Sequence, residues 1–140
     1  IVRTSSKPIF VSNSTFTDIN HVLVAFDGSL PSIRVLEYLL GGPIFGKLKI
    51  SVLGVSKVKE DPLGPEQKSL VMNLNKNQNL ISFINVSGDP KDQIMKHISD
   101  QNSDMLAIGA YGHSKLRNLF IGSTTSALIH SSPVPVLLSK

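Results

Sequence analysis

His21-Val22-Leu23-Val24-Ala25-Phe26-Asp27-Gly28-Ser29 runs from an apolar, β-branched stretch straight into a polar break. The run His21–Phe26 predicts a short strand buried on both faces, because no polar residue alternates along it. Asp27-Gly28-Ser29 ends that strand, and Pro31 falls where the first turn of a helix tolerates a residue without an N–H. Val35, Leu36, Leu39 and Leu40 then recur at helical spacing until Gly41-Gly42-Pro43 stops them. The same strand–turn–helix unit repeats down the chain.

Lys49–Val55 reads as a second strand. Between residues 56 and 79, Leu63, Leu70, Val71 and Leu74 suggest a helix, although Asn73, Asn75, Asn77 and Asn79 are poor helix formers. Ile81–Val86 is a third strand. Asp89 can cap, and Pro90 open, a helix that turns Ile94, Met95 and Ile98 inward. Met105–Ala110 is a fourth strand, 111–121 a loop and Ser123–Ser131 a helix. Pro133 ends that helix, and Val134–Leu138 is a fifth strand. Such alternation predicts an α/β fold with a doubly wound, five-stranded parallel sheet. Ligands of such sheets bind beyond the carboxyl ends of the strands, where strand order reverses.

The chain has 140 residues, 41% hydrophobic and 17% charged, enough for the core of one domain. Its longest aliphatic or aromatic run, Val22 to Phe26, is far short of the ~18 residues of a membrane-spanning helix, so no membrane is expected. With no cysteine there is no disulfide framework, thiolate nucleophile or zinc ribbon, which suits a reducing, cytoplasmic compartment. Lys and Arg number 14 against 10 Asp and Glu, a net charge of +4. The basic residues are scattered, there is no Trp, and only two Tyr are present, so nucleic acid is not an expected partner. His21, His97 and His130 make no metal spacing, and no metal site is expected; His113 merely borders a glycine-rich loop. Gly41-x4-Gly46-Lys47 imitates a Walker A loop, but Leu48 stands where Ser or Thr must hold magnesium, and a strand follows where a helix should.

The two ends of the chain resemble each other. Arg-Thr-Ser-Ser-Lys-Pro-Ile-Phe-Val-Ser at 3–12 aligns with His-Ser-Ser-Pro-Val-Pro-Val-Leu-Leu-Ser at 130–139, matching Pro8 to Pro135 and Ser12 to Ser139. A separation of nearly one domain length is what a tandem repeat gives. Residues 1–17 are therefore expected to be the last strand of a preceding repeat plus a linker, and 18–140 the domain itself. The other reading is a coincidental Ser/Pro-rich arm.

The loop after the fourth strand carries the chemistry. Gly109 and Gly112, then Gly122-Ser123-Thr124-Thr125, form the spacing Gly-x2-Gly-x9-Gly-Ser. Glycines let backbone N–H groups turn toward one anion, and a helix opening at Gly122 offers free N–H groups and hydroxyls to phosphate. That pattern is either a phosphate cradle or a glycine turn followed by an ordinary Ser N-cap.

Together, the glycine spacing and the stretch at 21–29 resemble the universal stress protein family, over residues 18 to 140. The resemblance implies the Rossmann-like fold of adenine nucleotide alpha hydrolases, with a sheet in the order 3-2-1-4-5. It also implies membership of the ATP-binding branch, with ATP between the ends of strands one and four. By position, Asp27 would face ribose and adenine, with Ala25 and Phe26 as backbone and packing contacts and Val55 lining the adenine pocket. Ile108, Gly109, Tyr111 and Gly112 would wrap the ribose and α-phosphate. Gly122, Ser123, Thr124 and Thr125 would hold the β- and γ-phosphates, with or without Mg²⁺. Tyr111 stands where the family is often small or basic, and the Asn-rich 60–79 stretch departs from its longer helix. Family dimers pair their fifth strands, which implies a homodimer, or an intrachain pseudo-dimer in which residues 1–12 lie antiparallel to 133–139.

No acid stands beside the hydroxyl cluster to act as base or to hold magnesium, so no catalytic residue is assigned and at most slow ATP hydrolysis is expected. The expected role is a nucleotide-binding regulatory domain in a stress response. The alternative is an interaction or scaffold module of the same fold that binds no nucleotide.

Overall fold

The computed structural model describes residues 7–13, 17–58, 61–109 and 122–140, with 122–124 described by their backbone alone. Strands β1 (Ile9–Val11), β2 (His21–Ala25), β3 (Lys49–Ser56), β4 (Leu80–Ser87), β5 (Met105–Gly109) and β6 (Val136–Ser139) alternate, from β2 onward, with four helices. These are α1 (Leu30–Gly41), α2 (Pro65–Leu74), α3 (Pro90–Asp100) and α4 (Gly122–Ser131). The fold class is the α/β one expected, but the sheet is six-stranded and mixed rather than five-stranded and wholly parallel.

Its order is β1-β6-β5-β2-β3-β4: the five strands β2 to β6 keep the expected 3-2-1-4-5 order, and β1 adds a sixth strand at the β6 edge. The added strand is β1, which lies antiparallel to β6 as expected of residues 1–12 against 133–139, with Ile9 opposite Leu138 and Val11 opposite Val136. Every other pairing is parallel. Strand β2 therefore lies between β3 and β5, and the direction of winding reverses between β2 and β5.

The continuous apolar run of β2 is explained by burial on both sides. Val22, Val24 and Phe26 pack under α1 and α2 with Val35, Leu36, Leu39, Leu40 and Val71. Leu23 and Ala25 face the other way, with Leu53, Ile94, Ile98 and Leu128, under α3 and α4. Helix α1 starts where the sequence punctuates it: Ser29 is the N-cap and Pro31 sits in the first turn. Asp89 caps α3, its carboxylate accepting the Asp92 N–H at 3.1 Å.

The asparagines that looked out of place in a helix are not in one, because α2 ends at Leu74. Asn75 and Asn79 bond each other, and the Asn79 side-chain oxygen accepts the buried Leu48 N–H at 2.7 Å. The backbone N–H of Asn77 reaches Leu40 O and its side chain reaches Gly42 O, which satisfies carbonyls at the end of α1.

At the amino ends of the strands, the buried His21 ring lies 2.8 Å from the Ser51 hydroxyl, which lies 3.2 Å from that of Ser82. Burial, then the nearby Lys49 charge, hold its pKa below the ordinary 6.5, against the raising effects of the Gln101 backbone and Asp104. Below pH 6.5 the unfolded chain thus takes up this proton before the folded one does. The His21 contribution to stability is complete above the unfolded value and is lost as the pH falls through the lower, folded one. Thermal unfolding from pH 7.5 down to 5 will show this loss, and a His21→Gln variant will lack that portion of it. An unchanged slope in the variant would assign the acid sensitivity elsewhere.

Candidate functional site

The reversal point gathers most of the expected site residues on one rim. Ala25 is in register with Ile108, so Phe26-Asp27 and Gly109 leave the carboxyl ends of adjacent strands side by side. Ala25, Phe26, Val55 and Ile108 all reach this rim, yet their side chains are buried in the core. Phe26 belongs to the α1/α2 side, and Val55 and Ile108 to the α3/α4 side. At these positions the rim offers backbone, not a side-chain pocket wall. The Phe26 N–H is itself engaged, donating to Leu53 O at 2.9 Å.

Asp27 is half-buried, and one carboxylate oxygen accepts the Ser29 N–H at 2.9 Å. Gly28 between them has φ +78°, the left-handed conformation this tight turn requires. Asp27 is thus the turn aspartate of the Asp-Gly-Ser break, while Ser29 is the helix cap. A carboxylate has roughly four acceptor positions, so the turn bond does not exhaust Asp27.

Gly109 is glycine for a reason the sequence pattern does not show. A Cβ there would lie 2.5 Å from Ser32 N and 2.7 Å from the Pro31 carbonyl carbon. The first turn of α1 therefore rests directly on the end of β5, which places the amino end of α1 over the reversal point. Ser29 and Ser32, absent from the expected site set, belong to this rim. The Ser-x-x-Ser spacing after Asp-Gly was the available signal for them.

Gly122 opens α4, with Ser123, Thr124 and Thr125 in its first turn, and Thr125 is buried. Neither α1 nor α4 has an acidic residue in its first turn, whereas α2 has Glu66 and α3 has Asp92. The two helices that follow β2 and β5 thus keep the positive ends of their dipoles uncompensated by their own side chains. Tyr111, Gly112 and His113 lie outside the described residues. Among the described residues no three His, Asp or Glu side chains converge as a metal site, and no helix is long and apolar enough to cross a membrane. The Gly41–Lys47 loop follows α1 and precedes β3 and so lies at the opposite end of the sheet, as its helix–loop–strand order requires.

Residues 18–140 match the profile of the Universal stress protein family. The chain belongs to that family. A universal stress protein of Synechocystis sp. is 32% identical over 142 residues, which cover 98% of this chain and 48% of that relative. A universal stress protein of Archaeoglobus fulgidus has a solved structure that superposes with a TM-score of 0.71 at 20% identity, over 99% of this chain and 51% of that one. The chain thus spans about half the length of both. Universal stress proteins have also been solved in complex with cAMP (TM-score 0.66, 19% identity, 89% of this chain and 98% of that one) and, from Arabidopsis thaliana, with AMP bound (0.60, 19%, 86% and 91%). These structural likenesses establish the shared fold.

Proposed function

We propose that this universal stress protein domain binds an adenine nucleotide, with ATP as the ligand, between the carboxyl ends of β2 and β5, and serves a regulatory role in a cytoplasmic stress response. The observation that carries this reading is the pair of helix N-termini with no acid in their first turns, α1 and α4, following the two strands between which the sheet reverses. An anion in that crevice meets two positive dipole ends. At α1 the Ser32 N–H is taken by the Ser29 hydroxyl, Pro31 has none and the Ser29 N–H is held by Asp27, so backbone donors are asked of α4. Asp27 would accept a ribose hydroxyl, and the backbone at Ala25, Phe26, Val55, Ile108 and Gly109 would line the nucleoside. Tyr111 and Gly112 would flank the α-phosphate, and Gly122, Ser123, Thr124 and Thr125 would take the terminal phosphates, with Mg²⁺ sharing their charge. Family members with cAMP and AMP bound support an adenine ligand.

Residues 1–17 are read, in the same proposal, as the last strand and linker of a preceding repeat. The antiparallel seat of β1 on β6 and the half-length match to the relatives support it.

Thermal unfolding with and without millimolar ATP and Mg²⁺, beside GTP, tests the nucleotide. A ligand at 100 times its Kd adds about 2.7 kcal/mol, a shift of several degrees. ATP is expected to give that shift, GTP not, and Asp27→Ala is expected to shrink it. No shift with any adenine nucleotide would leave the scaffold module as the better description.

A further inference from the structure

The sheet has two edges, and they are unlike. One is β1, three residues long. The other is β4, eight residues long, paired to β3 along its whole length and, among the described residues, to no other strand. Leu80-Ile81-Ser82-Phe83-Ile84-Asn85-Val86-Ser87 contains no charged residue and no proline. Those are the devices by which proteins blunt a free edge against strand addition.

Backbone geometry says which groups this edge offers. Leu80 N donates to Leu48 O and Gly88 N to Ser56 O, both across to β3. In a parallel ladder the direction alternates residue by residue, so even-numbered residues face β3. The N–H and C=O groups of Ile81, Phe83, Asn85 and Ser87 face outward.

We infer that β4 is a self-association edge, pairing antiparallel with β4 of a second copy of this chain about a two-fold axis at Ile84. In that register Ile81 lies opposite Ser87 of the second copy and Phe83 opposite Asn85 of the second copy. All the outward-facing residues then exchange both backbone hydrogen bonds. Ile84 meets its own symmetry mate as a close, non-hydrogen-bonded pair, and Ser82 meets Val86 of the second copy on the same face.

The charge pattern selects a second copy as the occupant. A strand paired with itself sets residues near its centre against their own kind, so a charge there would repel its mate, and β4 carries none. Outside the strand the signs differ between the ends. Lys76 precedes it, and Asp89, Lys91 and Asp92, with a net charge of −1, follow it, so antiparallel pairing brings the lysine of one copy toward the net-acidic end of the other. Lys68, the cation near the strand's middle, belongs to α2 and stands over the Phe83 ring.

Sedimentation equilibrium and amide hydrogen exchange over a concentration series test this pairing. The mass is expected to rise toward twice that of the monomer. Protection at the Ile81, Phe83, Asn85 and Ser87 amides is expected to rise at least about tenfold with concentration, while the inward amides of Ser82 and Ile84 stay protected throughout. Ile84→Lys sets two like charges at the axis and is expected to leave a monomer. Because Ile84 also packs inward, Ser87→Pro is the second variant: the side chain is exposed and the lost N–H faces outward, away from the β3 ladder. It is expected to weaken association about tenfold while the monomer's unfolding temperature holds. A monomer at every concentration overturns the inference. So does a dimer unaffected by both variants, or protection that rises only at Ile9–Val11. Binding of an unrelated extended peptide at β4 without self-association also overturns it.

Discussion

Gly109→Ala is expected to destabilise the domain by about 2–3 kcal/mol, lower its unfolding temperature by roughly 6–12 °C and abolish the ATP-induced shift. The added methyl carbon would sit 2.5 Å from Ser32 N, 2.7 Å from Pro31 C and 2.9 Å from Pro31 Cβ. The first two are backbone atoms in the opening turn of α1, and no rotamer change can move them aside. Relief requires lifting the helix from β5. That uncovers the core beneath Val35 and Leu36 and carries the amino end of α1 away from the proposed phosphate crevice. Gly28→Ala is the informative contrast, since a Cβ there meets nothing within 4 Å and only its φ of +78° is unfavourable. It is expected to cost about 1 kcal/mol. Calorimetry with and without ATP checks both. Wild-type stability in Gly109→Ala would mean that α1 does not rest on the end of β5.

Phe26→Ala is expected to have the larger effect on stability, about 3–5 kcal/mol, a major share of the 5–15 typical of a domain. The Phe26 ring is 1% exposed and packs among side chains of β2, β3 and α1. Its removal leaves a cavity that two packed layers cannot close. The same burial separates a core role from a ligand-contact role. Phe26→Leu fills most of the space, and its nucleotide-induced shift is expected to equal the wild type's, because only the backbone of Phe26 reaches the rim. A Phe26→Leu variant with wild-type stability and no ATP shift would place the ring against the nucleotide instead.

The two predictions concern residues whose surroundings were legible to different degrees. Phe26 ends an unbroken apolar run, and burial on both faces follows from that run alone. Gly109 stood in a glycine spacing suited to an anion loop, yet the clash geometry gives it a packing reason involving Pro31 and Ser32, remote in sequence. Val55 had the same fate. By position it is expected to line an adenine pocket, and in the fold its side chain, 3% exposed, belongs to the same core cluster as Leu53, Ile94 and Ile98. The asparagines after Leu74 were readable as helix-averse, but not as the ties that bind Leu48, Leu40 and Gly42. Their partners lie on other elements.

By itself, the sequence determined what depends on neighbours within about a dozen residues. That covers the alternation of strands and helices, the cap at Asp89, the breaks at Asp27-Gly28-Ser29 and Gly41-Gly42-Pro43, and the family. These follow from side-chain periodicity and from the φ and hydrogen-bonding limits of Gly, Pro, Ser and Asp, which act locally. Only the tertiary structure decided the residue-by-residue register of β1 on β6, the contact between α1 and Gly109, and β4 as the long uncharged edge. Strand pairing joins residues as distant as Ile9 and Leu138 through backbone groups that every residue carries alike. Side-chain patterns within the two segments do not fix that register; the likeness of the chain's two ends pointed to the partner, and only the folded backbone set which residues meet.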